Sequence, residues 1–577
     1  MNDHSTKSYW HKEPSAKLLG HRTTPDLPRA ADVAIVGSGI TGAFAAHFLR
    51  EKRPDLNIVM VDAREACWGA TGRNGGHCQP AMYMPEPHIS SFELRTFSFL
   101  KGFVEQHSIP CDWHTTSGVH AYYSAELFAR AREKIARLAE TYPDVAANVA
   151  VVTKGPESES TPAWLLPGER RELTLEALRV PAAEGAVVQW NAASLWPYKL
   201  VAFVLERLLL DNDADDNDHG SGKEKKGGGG SFNLQTNTPV TGLTRAETPS
   251  GTTTTTITTT TTWTLHTPRG TLTARQVLLA TNGYTAHLLP ALADLIVPTR
   301  GQVAALKPPT PSSSFDLPTV PPPLDIGHTF YFMGEPDAPY ERDDYLVQRP
   351  PPPAGDGELI FGGGRRHAPG RGVGVSDDST VDEAVAWYLR GELSGMMDLS
   401  PSAAPEEDQQ GENNKKKSNE KEKEEEKKSK TKNNKKQDLD PTHEWTGIMG
   451  YTRDGYPLVG RVPGSLGGDD DNDKEETDPP SSSSSFLQDT KGSSSSRRRD
   501  VGGGGLWLCA GYSGHGMPNA ALCARAVVDM MCGEPEIDLP PEYELTASRA
   551  ALARAVCEDV AVADARGSLW GDFGMTV

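Results

Sequence analysis

The stretch that most constrains the fold is residues 31–62, ADVAIVGSGITGAFAAHFLREKRPDLNIVMVD. Residues 33–36 form a short apolar run rich in β-branched side chains, as expected of a strand buried on both faces. The run ends in a glycine-rich turn, and residues 43–50 continue as a helix. Residues 57–61 predict a second strand, which ends at Asp62. This order predicts a strand, a glycine turn, a helix and a second strand.

The turn has the sequence G-x-G-x-x-G, and each glycine has its own role. Gly37 permits a tight turn, Gly39 lets backbone N–H groups approach a pyrophosphate, and Gly42 lets the helix pack closely on the strand. The helix N-terminus adds free N–H groups and the positive end of its dipole. Asp62 follows Gly42 by twenty residues, where a ribose hydroxyl needs an acceptor. The motif alone also fits an ordinary glycine turn, but the complete order predicts a dinucleotide site.

Size, charge and cysteine content narrow the class of protein. A chain of 577 residues can form two or more domains, or one large α/β enzyme with insertions. The formal charge of −20 argues against general nucleic-acid binding, which requires attraction to phosphates. The seven cysteines lack C-x-x-C spacing, which indicates reduced thiols in a cytoplasmic protein, with neither a metal site nor a disulfide framework. No apolar run approaches the roughly 20 residues of a membrane span, so we expect no membrane partner.

Three further segments predict ligand contacts. Residues 69–76 contain four glycines, which let backbone touch a flat or charged ligand, although a flexible loop is the alternative. Residues 276–280 form an apolar strand that runs into residues 281–283, and open α/β sheets bind ligands at such strand ends. Residues 506–510 form another strand, and glycines lead from it into an alanine-rich helix over 519–531. N–H groups at that helix start can face a ligand, although a simple strand–turn–helix is the alternative.

These segments resemble the D-amino-acid-oxidase-like FAD-dependent oxidoreductases, and the nearest type is γ-glutamylputrescine oxidase. Ser8-Tyr9-Trp10 and residues 445–460, which fit W-x-G-x-x-x-x-T-x-D-x-x-P-x-x-G, contribute to the resemblance. It implies an α/β fold in which a Rossmann-like FAD-binding domain is interleaved with an antiparallel-sheet substrate domain. Together with the turn motif it implies FAD contacts at Gly37, Ser38, Gly39, Ile40, Thr41, Gly42, Asp62, Ala63, Arg64, Gly69, Ala70, Thr71, Arg73, Asn74, Gly75, Gly76, Val240, Ala280, Thr281, Asn282, Gly283, Gly514, His515, Gly516 and Met517.

The resemblance and the composition together divide the chain. Residues 89–141 predict two packing helices with a strand over 118–123 between them, and residues 546–562 predict one helix. Three low-complexity segments cannot build a core and are expected to be disordered insertions. The predicted division is an N-terminal arm (1–30), FAD-binding segments (31–88, 185–300, 439–463 and 506–535), substrate-domain segments (89–184 and 301–402), insertions (211–230, 403–438 and 464–505) and a C-terminal tail (536–577).

The implied reaction is oxidation of a carbon–nitrogen bond in a small amine or amino acid. A neutral amine gives a hydride from its α-carbon to the flavin, the imine is hydrolysed, and molecular oxygen takes the electrons to give hydrogen peroxide. One alternative is a flavin dehydrogenase that uses a quinone or a protein acceptor. The other is a flavin-binding protein without turnover.

Three side chains are the candidate catalytic residues. His515 lies between glycines and is expected to face flavin or substrate. Arg366, like the adjacent Arg365, can hold a carboxylate through its guanidinium fork, although a structural role is the alternative. Tyr331, like Tyr345, is a candidate for the pocket wall, with core packing as the alternative.

The resemblance also bears on how the cofactor is attached. Some members of the family bond FAD to a cysteine three residues before the threonine of the T-x-D element. Met449 occupies that position here, so a thioether bond there is excluded and we expect non-covalent FAD. His77 and Cys78 are remote alternative anchors.

Overall fold

The computed structural model describes residues 5–154, 173–217, 229–253, 256–309, 323–400, 438–468 and 504–565. These residues form two large β-sheets with helices packed around them. Most of the predicted insertions 211–230, 403–438 and 464–505 lies outside the described residues. None of the described helices is both long enough and apolar enough to cross a membrane.

The helices predicted within 89–141 and over 519–531 are present. The prediction of a single helix over 546–562 is wrong, because the chain forms two helices there. The break lies at Asp559, whose carboxylate accepts a hydrogen bond from the Ala561 N–H at 3.0 Å and starts a new helix. The described α-helices are α1 (Ile40–Lys52), α2 (Pro87–His107), α3 (Ala125–Thr141), α4 (Pro143–Ala146), α5 (Pro197–Asn217), α6 (Thr285–Leu288), α7 (Glu383–Met396), α8 (Ala520–Cys532), α9 (Ala547–Val556) and α10 (Val560–Ala565).

The strands divide between the two sheets. The described strands are β1 (Ala30–Val36), β2 (Ile58–Val61), β3 (His77–Cys78), β4 (His114–Tyr122), β5 (Val149–Thr153), β6 (Gly185–Ser194), β7 (Phe232–Gln235), β8 (Gly242–Thr253), β9 (Thr256–Thr267), β10 (Gly270–Leu279), β11 (Ile296–Leu306), β12 (Thr329–Glu335), β13 (Ala338–Gln348), β14 (Leu359–Gly362), β15 (Pro441–Thr452), β16 (Leu458–Arg461) and β17 (Gly505–Ala510).

The first sheet has the strand order β16-β17-β10-β1-β2-β7, and the hairpin of β8 and β9 extends it from β10. Strands β17, β10, β1, β2 and β7 run parallel, whereas β16 is an antiparallel edge. Their nearly continuous apolar sequences suit a sheet that helices cover, and α1 packs against both α5 and α8. The predicted Rossmann-like fold is therefore confirmed, with the carboxyl ends of five parallel strands at one edge.

The second sheet has the order β15-β11-β14-β13-β12-β4-β6-β3, with β5 paired to β6. Its pairs are antiparallel except β4 with β12, which run parallel. The predicted division places residues 185–194 and 441–452 in FAD-binding segments, whereas β6 and β15 pair in this second sheet. Periodicity identifies a buried strand but not the sheet that it joins, so the sequence could not assign these two strands.

The N-terminal arm packs against the glycine-rich loop 69–76. Tyr9 and Trp10 of this arm are buried. The Trp10 indole N–H donates to the backbone oxygen of Asn74 at 2.6 Å. The Trp10 ring also packs edge-on against Trp196, with ring centroids 6.0 Å apart. The arm therefore supports a loop whose sequence predicts cofactor contacts.

Candidate active site

A cavity of about 280 Å³ lies at the carboxyl ends of β1, β2 and β10, and residues of the second sheet complete its wall. Segments that are far apart in the sequence meet here, as the ordered motifs predicted. The predicted FAD contacts that line it are Gly37, Ser38, Gly39, Ile40, Thr41, Asp62, Ala63, Arg64, Gly69, Ala70, Thr71, Arg73, Asn74, Gly75, Val240, Ala280, Thr281, Asn282, Gly514, His515, Gly516 and Met517.

Three of the predicted contacts, Gly42, Gly76 and Gly283, do not line this cavity. They pack against other parts of the protein instead. A Cβ on Gly42 would lie 1.9 Å from a backbone oxygen of its own turn, and one on Gly76 would lie 2.7 Å from a ring carbon of Trp10. A Cβ on Gly283 would lie 2.5 Å from the backbone oxygen of Met449. These glycines therefore permit close packing behind the cavity rather than contact with a ligand.

Asp62 holds the glycine turn in place. Its Oδ2 atom accepts hydrogen bonds from the Ser38 N–H at 2.8 Å and the Ser38 hydroxyl at 2.5 Å. Its Oδ1 atom accepts the Arg64 N–H at 2.9 Å. Burial raises the pKa of Asp62, and the hydrogen bonds from Ser38 and Arg64 oppose that rise. Since each carboxylate oxygen has two lone pairs, acceptor capacity remains toward the cavity.

Arg73 joins the glycine-rich loop to β15. Its Nε atom donates to the Thr446 backbone oxygen at 2.6 Å, and the Trp445 indole N–H donates to the Arg73 backbone oxygen at 2.8 Å. Burial lowers the pKa of Arg73 to about 10, although Asp378 nearby opposes this effect. The buried Nη1 atom of Arg73 has no hydrogen-bond partner among the described residues. It is therefore a donor available at the cavity wall.

The last glycine turn, residues 511–517, closes the cavity from the C-terminal side. The Gly511 N–H donates to Asn282 Oδ1 at 3.0 Å, which joins this turn to the end of β10. The hydroxyls of Thr41 and Tyr512 lie 2.9 Å apart, which joins it to α1. The three strand-to-helix segments predicted separately are thus bonded to each other.

A second cavity of about 110 Å³ adjoins the first. Five side chains line both cavities and form the junction between them: Gln79, Tyr331, Asp343, Tyr512 and His515. The remaining wall comes from the segments 81–85 and 455–457, together with side chains of α2, α3, β4 and β12. A small molecule in the second cavity would therefore meet a ligand of the first at this junction.

His515 is bonded to a buried carboxylate at the junction. His515 Nε2 lies 3.0 Å from Oε2 of Glu93, whose side chain is only 4% exposed. Asn519 donates to Glu93 Oε1 at 3.0 Å, and Tyr543 donates to Asn519 Oδ1 at 3.0 Å. Burial lowers the pKa of His515, but the Glu93 charge and hydrogen bond raise it more, so the net pKa lies above its ordinary value. The pair holds a proton at His515 Nε2.

A neutral hydrogen-bonded group forms another part of the second cavity. The Thr329 hydroxyl donates to Gln79 Oε1 at 2.7 Å, so the amide nitrogen of Gln79 faces His120 Nε2 at 2.9 Å. His120 Nδ1 lies 2.7 Å from the Tyr83 hydroxyl, which lies 2.5 Å from that of Tyr122. Burial lowers the pKa of His120 to about 3, so this imidazole is neutral.

The structure places Arg366 outside both cavities, so its predicted catalytic contact is wrong. Arg366 Nη1 forms an ion pair with Glu335 at 2.6 Å. Arg365 lines the first cavity instead, with its Nε atom 3.3 Å from Asp343 Oδ2. Gly364, at φ 63°, begins the 3-10 turn in which the two arginine side chains point in different directions.

Sequence analysis missed several wall residues, and Glu93 is the clearest case. The helical spacing over residues 89–141 predicts packing helices, yet Glu93 of α2 lines the second cavity. A signal was present, because Glu93 lies four residues after Ile89 and four before Phe97, on the apolar stripe of the helix. A carboxylate at such a position requires a partner or a function. Other wall residues that have no sequence prediction are Gln79, His120, Asp343 and Asn519.

A parallel sheet with G-x-G-x-x-G after its first strand, and a long cavity across the strand ends, defines a dinucleotide-binding protein with a second, substrate-side sheet. The family model described as DAO, FAD dependent oxidoreductase, matches residues 32–530. The chain therefore belongs to this family of FAD-dependent oxidoreductases.

Two curated relatives match parts of the chain. One is the tRNA 5-methylaminomethyl-2-thiouridine biosynthesis bifunctional protein MnmC of Shewanella amazonensis, 25% identical over 50% of this chain and 36% of the relative. The other is thiamine thiazole synthase of Eremothecium gossypii, 39% identical over 14% of this chain and 24% of the relative. The chain thus spans about a third and a quarter of the lengths of these relatives.

Solved structures share the fold at low identity. Glycine oxidase from Geobacillus kaustophilus matches with a TM-score of 0.52 and 16% identity, over 90% of this chain and 99% of that one. L-proline dehydrogenase from P. horikoshii matches with a TM-score of 0.52 and 14% identity, over 92% and 100%. L-amino acid deaminase from Proteus vulgaris matches with a TM-score of 0.51 and 14% identity, over 91% and 96%.

The residues present fit FAD. A Cβ on Gly37, at φ 106°, would lie 2.6 Å from the Ala280 backbone oxygen, so the turn requires glycine where a pyrophosphate must approach backbone. The buried Arg73 Nη1 and His77 Nε2 atoms have no partner among the described residues, and both side chains line the cavity. Within the described residues, no group of three His, Cys, Asp or Glu side chains could hold a metal ion.

Proposed function

We propose that this protein oxidises the carbon–nitrogen bond of a small amine or amino acid and uses molecular oxygen as the electron acceptor. The observation that carries the proposal is the junction, where Tyr331 and His515 line both the cavity at the strand ends and the smaller cavity beside it. The names of the solved structures that share the fold, an oxidase, a dehydrogenase and a deaminase of amino acids, support this reaction class. A γ-glutamylputrescine oxidase type remains part of the proposal, supported by Ser8-Tyr9-Trp10 and residues 445–460.

The chain would supply binding, orientation and charge. Bound FAD would accept the hydride of the substrate α-carbon and pass the electrons to oxygen. The glycine turn, Asp62 and the loop 69–76 would hold the cofactor. The Glu93 carboxylate raises the pKa of His515 and so would favour the cationic imidazole at the junction, where electrons arrive. The buried ring of Tyr512 and the half-buried ring of Tyr331 would exclude water there.

We further propose that FAD is bound without a covalent bond. Met449 lines the cofactor cavity at the position where relatives carry the linking cysteine, and a thioether sulfur cannot form that bond. Cys78 is buried and does not line the cavity, whereas His77 does. Yellow colour that stays in the protein pellet after acid precipitation would contradict this proposal.

A cytoplasmic location is also proposed, because the seven cysteines are all unbonded and five of them are buried. The partners would then be a small amine and dissolved oxygen, with no nucleic acid or membrane. The dehydrogenase alternative would pass the electrons to a quinone or a protein.

The experiment is anaerobic bleaching of the flavin by a panel of primary amines, N-methyl amino acids and D-amino acids. Bleaching by an amine, followed in air by one hydrogen peroxide per turnover, supports the oxidase. Bleaching without peroxide favours the dehydrogenase. If the protein binds FAD but no amine bleaches it, the result would support the alternative of a flavin-binding protein without turnover.

A further inference from the structure

The second cavity extends away from the junction along two paired strands. Tyr331 of β12 pairs with His120 of β4, and Met333 pairs with Tyr122 two residues further on. Residues two apart face the same side of a strand and lie about 7 Å apart. The cavity wall therefore continues roughly 7 Å beyond the Tyr331 junction, to a part that Met333 and Leu127 make apolar.

Most charged side chains of this cavity have an opposite charge close by. The pairs are Glu93 with His515 at 3.0 Å, Asp343 with Arg365 at 3.3 Å, and Arg342 with Glu335 at 3.2 Å and with Glu392 at 3.0 Å. Lys134 is different. Its Nζ atom donates to the Met84 backbone oxygen at 2.5 Å, and no carboxylate of the described residues lies within 4 Å of it.

Lys134 belongs to the apolar far part of the cavity. It lies on α3, seven residues and therefore two turns after Leu127, and both residues line the cavity. An ammonium has three N–H donors, of which the Met84 carbonyl takes one. Burial lowers the pKa of Lys134 because the ammonium loses water, and the Glu86 charge opposes this effect. A partly buried cation with donors to spare favours an anionic ligand.

We propose that Lys134 binds a carboxylate at the far end of the substrate, so that the preferred substrate is an alkylamine with a terminal carboxylate rather than an α-amino acid. This inference rests on the proposed amine oxidation. The reacting carbon–nitrogen bond lies at the junction beside Tyr331 and His515. The aliphatic chain lies against Tyr122, Leu127 and Met333, and the carboxylate receives hydrogen bonds from Lys134 Nζ.

Binding is measured first, without turnover. Hexanoate is titrated into the FAD-loaded protein and the flavin absorbance is followed. Lys134→Met removes the charge and keeps an unbranched side chain that is one atom shorter, and Lys134→Arg restores a cation. Lys154→Met is the matched control, since Lys154 is an exposed lysine that pairs with Glu184 at 2.9 Å outside the cavity. We expect the hexanoate Kd to rise about tenfold or more in Lys134→Met, as for the loss of one charge-assisted hydrogen bond, and to stay unchanged in the control.

Turnover then separates the two proposals. 6-Aminohexanoate should have a lower KM than hexylamine in the wild type and in Lys154→Met, and Lys134→Met should remove that difference. The inference is overturned if hexanoate does not perturb the wild-type flavin, if the three lysine variants bind it equally, or if the two amines have the same KM. Lys134-dependent hexanoate binding in a protein whose flavin no amine bleaches would support the carboxylate site and refute amine oxidation.

Discussion

The imidazole of His515 and the carboxylate of Glu93 lie 3.0 Å apart at the junction of two cavities, although 422 positions separate them in the sequence. Glu93 also accepts the Ala81 N–H at 2.7 Å and the Asn519 amide. The carboxylate is therefore held by three donors and in turn raises the pKa of the imidazole.

Removing the charge of Glu93 should change how activity and stability depend on pH. In Glu93→Gln, burial alone acts on the pKa of His515, which should fall below its ordinary value of 6.5. We expect flavin reduction at neutral pH to slow by about 10- to 100-fold, or roughly 1.4 to 2.8 kcal/mol. Because the wild-type pKa is raised, the pair stabilises the fold fully below pH 6.5 and loses that effect as the pH rises through the raised pKa.

Melting temperatures across that pH range should therefore fall more in the wild type than in Glu93→Gln. Glu105→Gln is the control, since Glu105 is an exposed residue of the same helix. Equal pH profiles for Glu93→Gln and the wild type would show that the pair does not set the charge of His515.

Gly42→Ala should destabilise the cofactor turn. The new Cβ would lie 1.9 Å from the backbone oxygen of Gly37, so α1 or the turn must shift, at a cost of about 3 kcal/mol. Gly102→Ala is the matched control, because Gly102 lies within α2 with nothing near its Cβ, and it should stabilise the protein by about 0.5 to 1 kcal/mol. Melting temperature and FAD content per chain measure both. A Gly42→Ala protein with normal FAD content would refute the role given to the close packing of Gly42 on the Gly37 backbone.

The two adjacent arginines should behave differently. Arg365→Met leaves the Asp343 carboxylate at the junction without its cation and should lower kcat/KM for amines about tenfold or more. Arg366→Met breaks an ion pair outside both cavities and should change kcat/KM by less than about threefold. Steady-state peroxide formation measures both variants. Similar losses in the two would contradict the assignment of Arg365 to the site.

Trp10→Phe should weaken FAD binding without touching the cavity itself. It removes the N–H that holds the Asn74 backbone oxygen, which should raise the FAD Kd by about 5- to 10-fold. Trp387→Phe is the control, since Trp387 is 60% exposed on α7. Fluorescence of released FAD gives the Kd. A Trp10→Phe protein with wild-type affinity would show that the arm does not position the loop 69–76.

Local chemistry made the cofactor site predictable. The turn at Gly37 and the strand before Ala280 are each specified by neighbouring residues, and the open sheet then brings their ends together. The sequence does not show which of the two adjacent arginines faces the cavity. In a 3-10 turn, adjacent side chains point in different directions, and the direction of each is set by the backbone conformation at Gly364. Glu93 was overlooked because its partner His515 is distant in sequence.

The place of β17 in the first sheet has a consequence for biosynthesis. This strand pairs with β10 from Gln276 to Leu279, yet it comes more than two hundred residues later in the chain. Until the ribosome has made it, that edge of β10 offers unpaired N–H and C=O groups to other chains. Nascent protein should therefore need chaperone protection late in translation, and chains that stop short of β17 should aggregate.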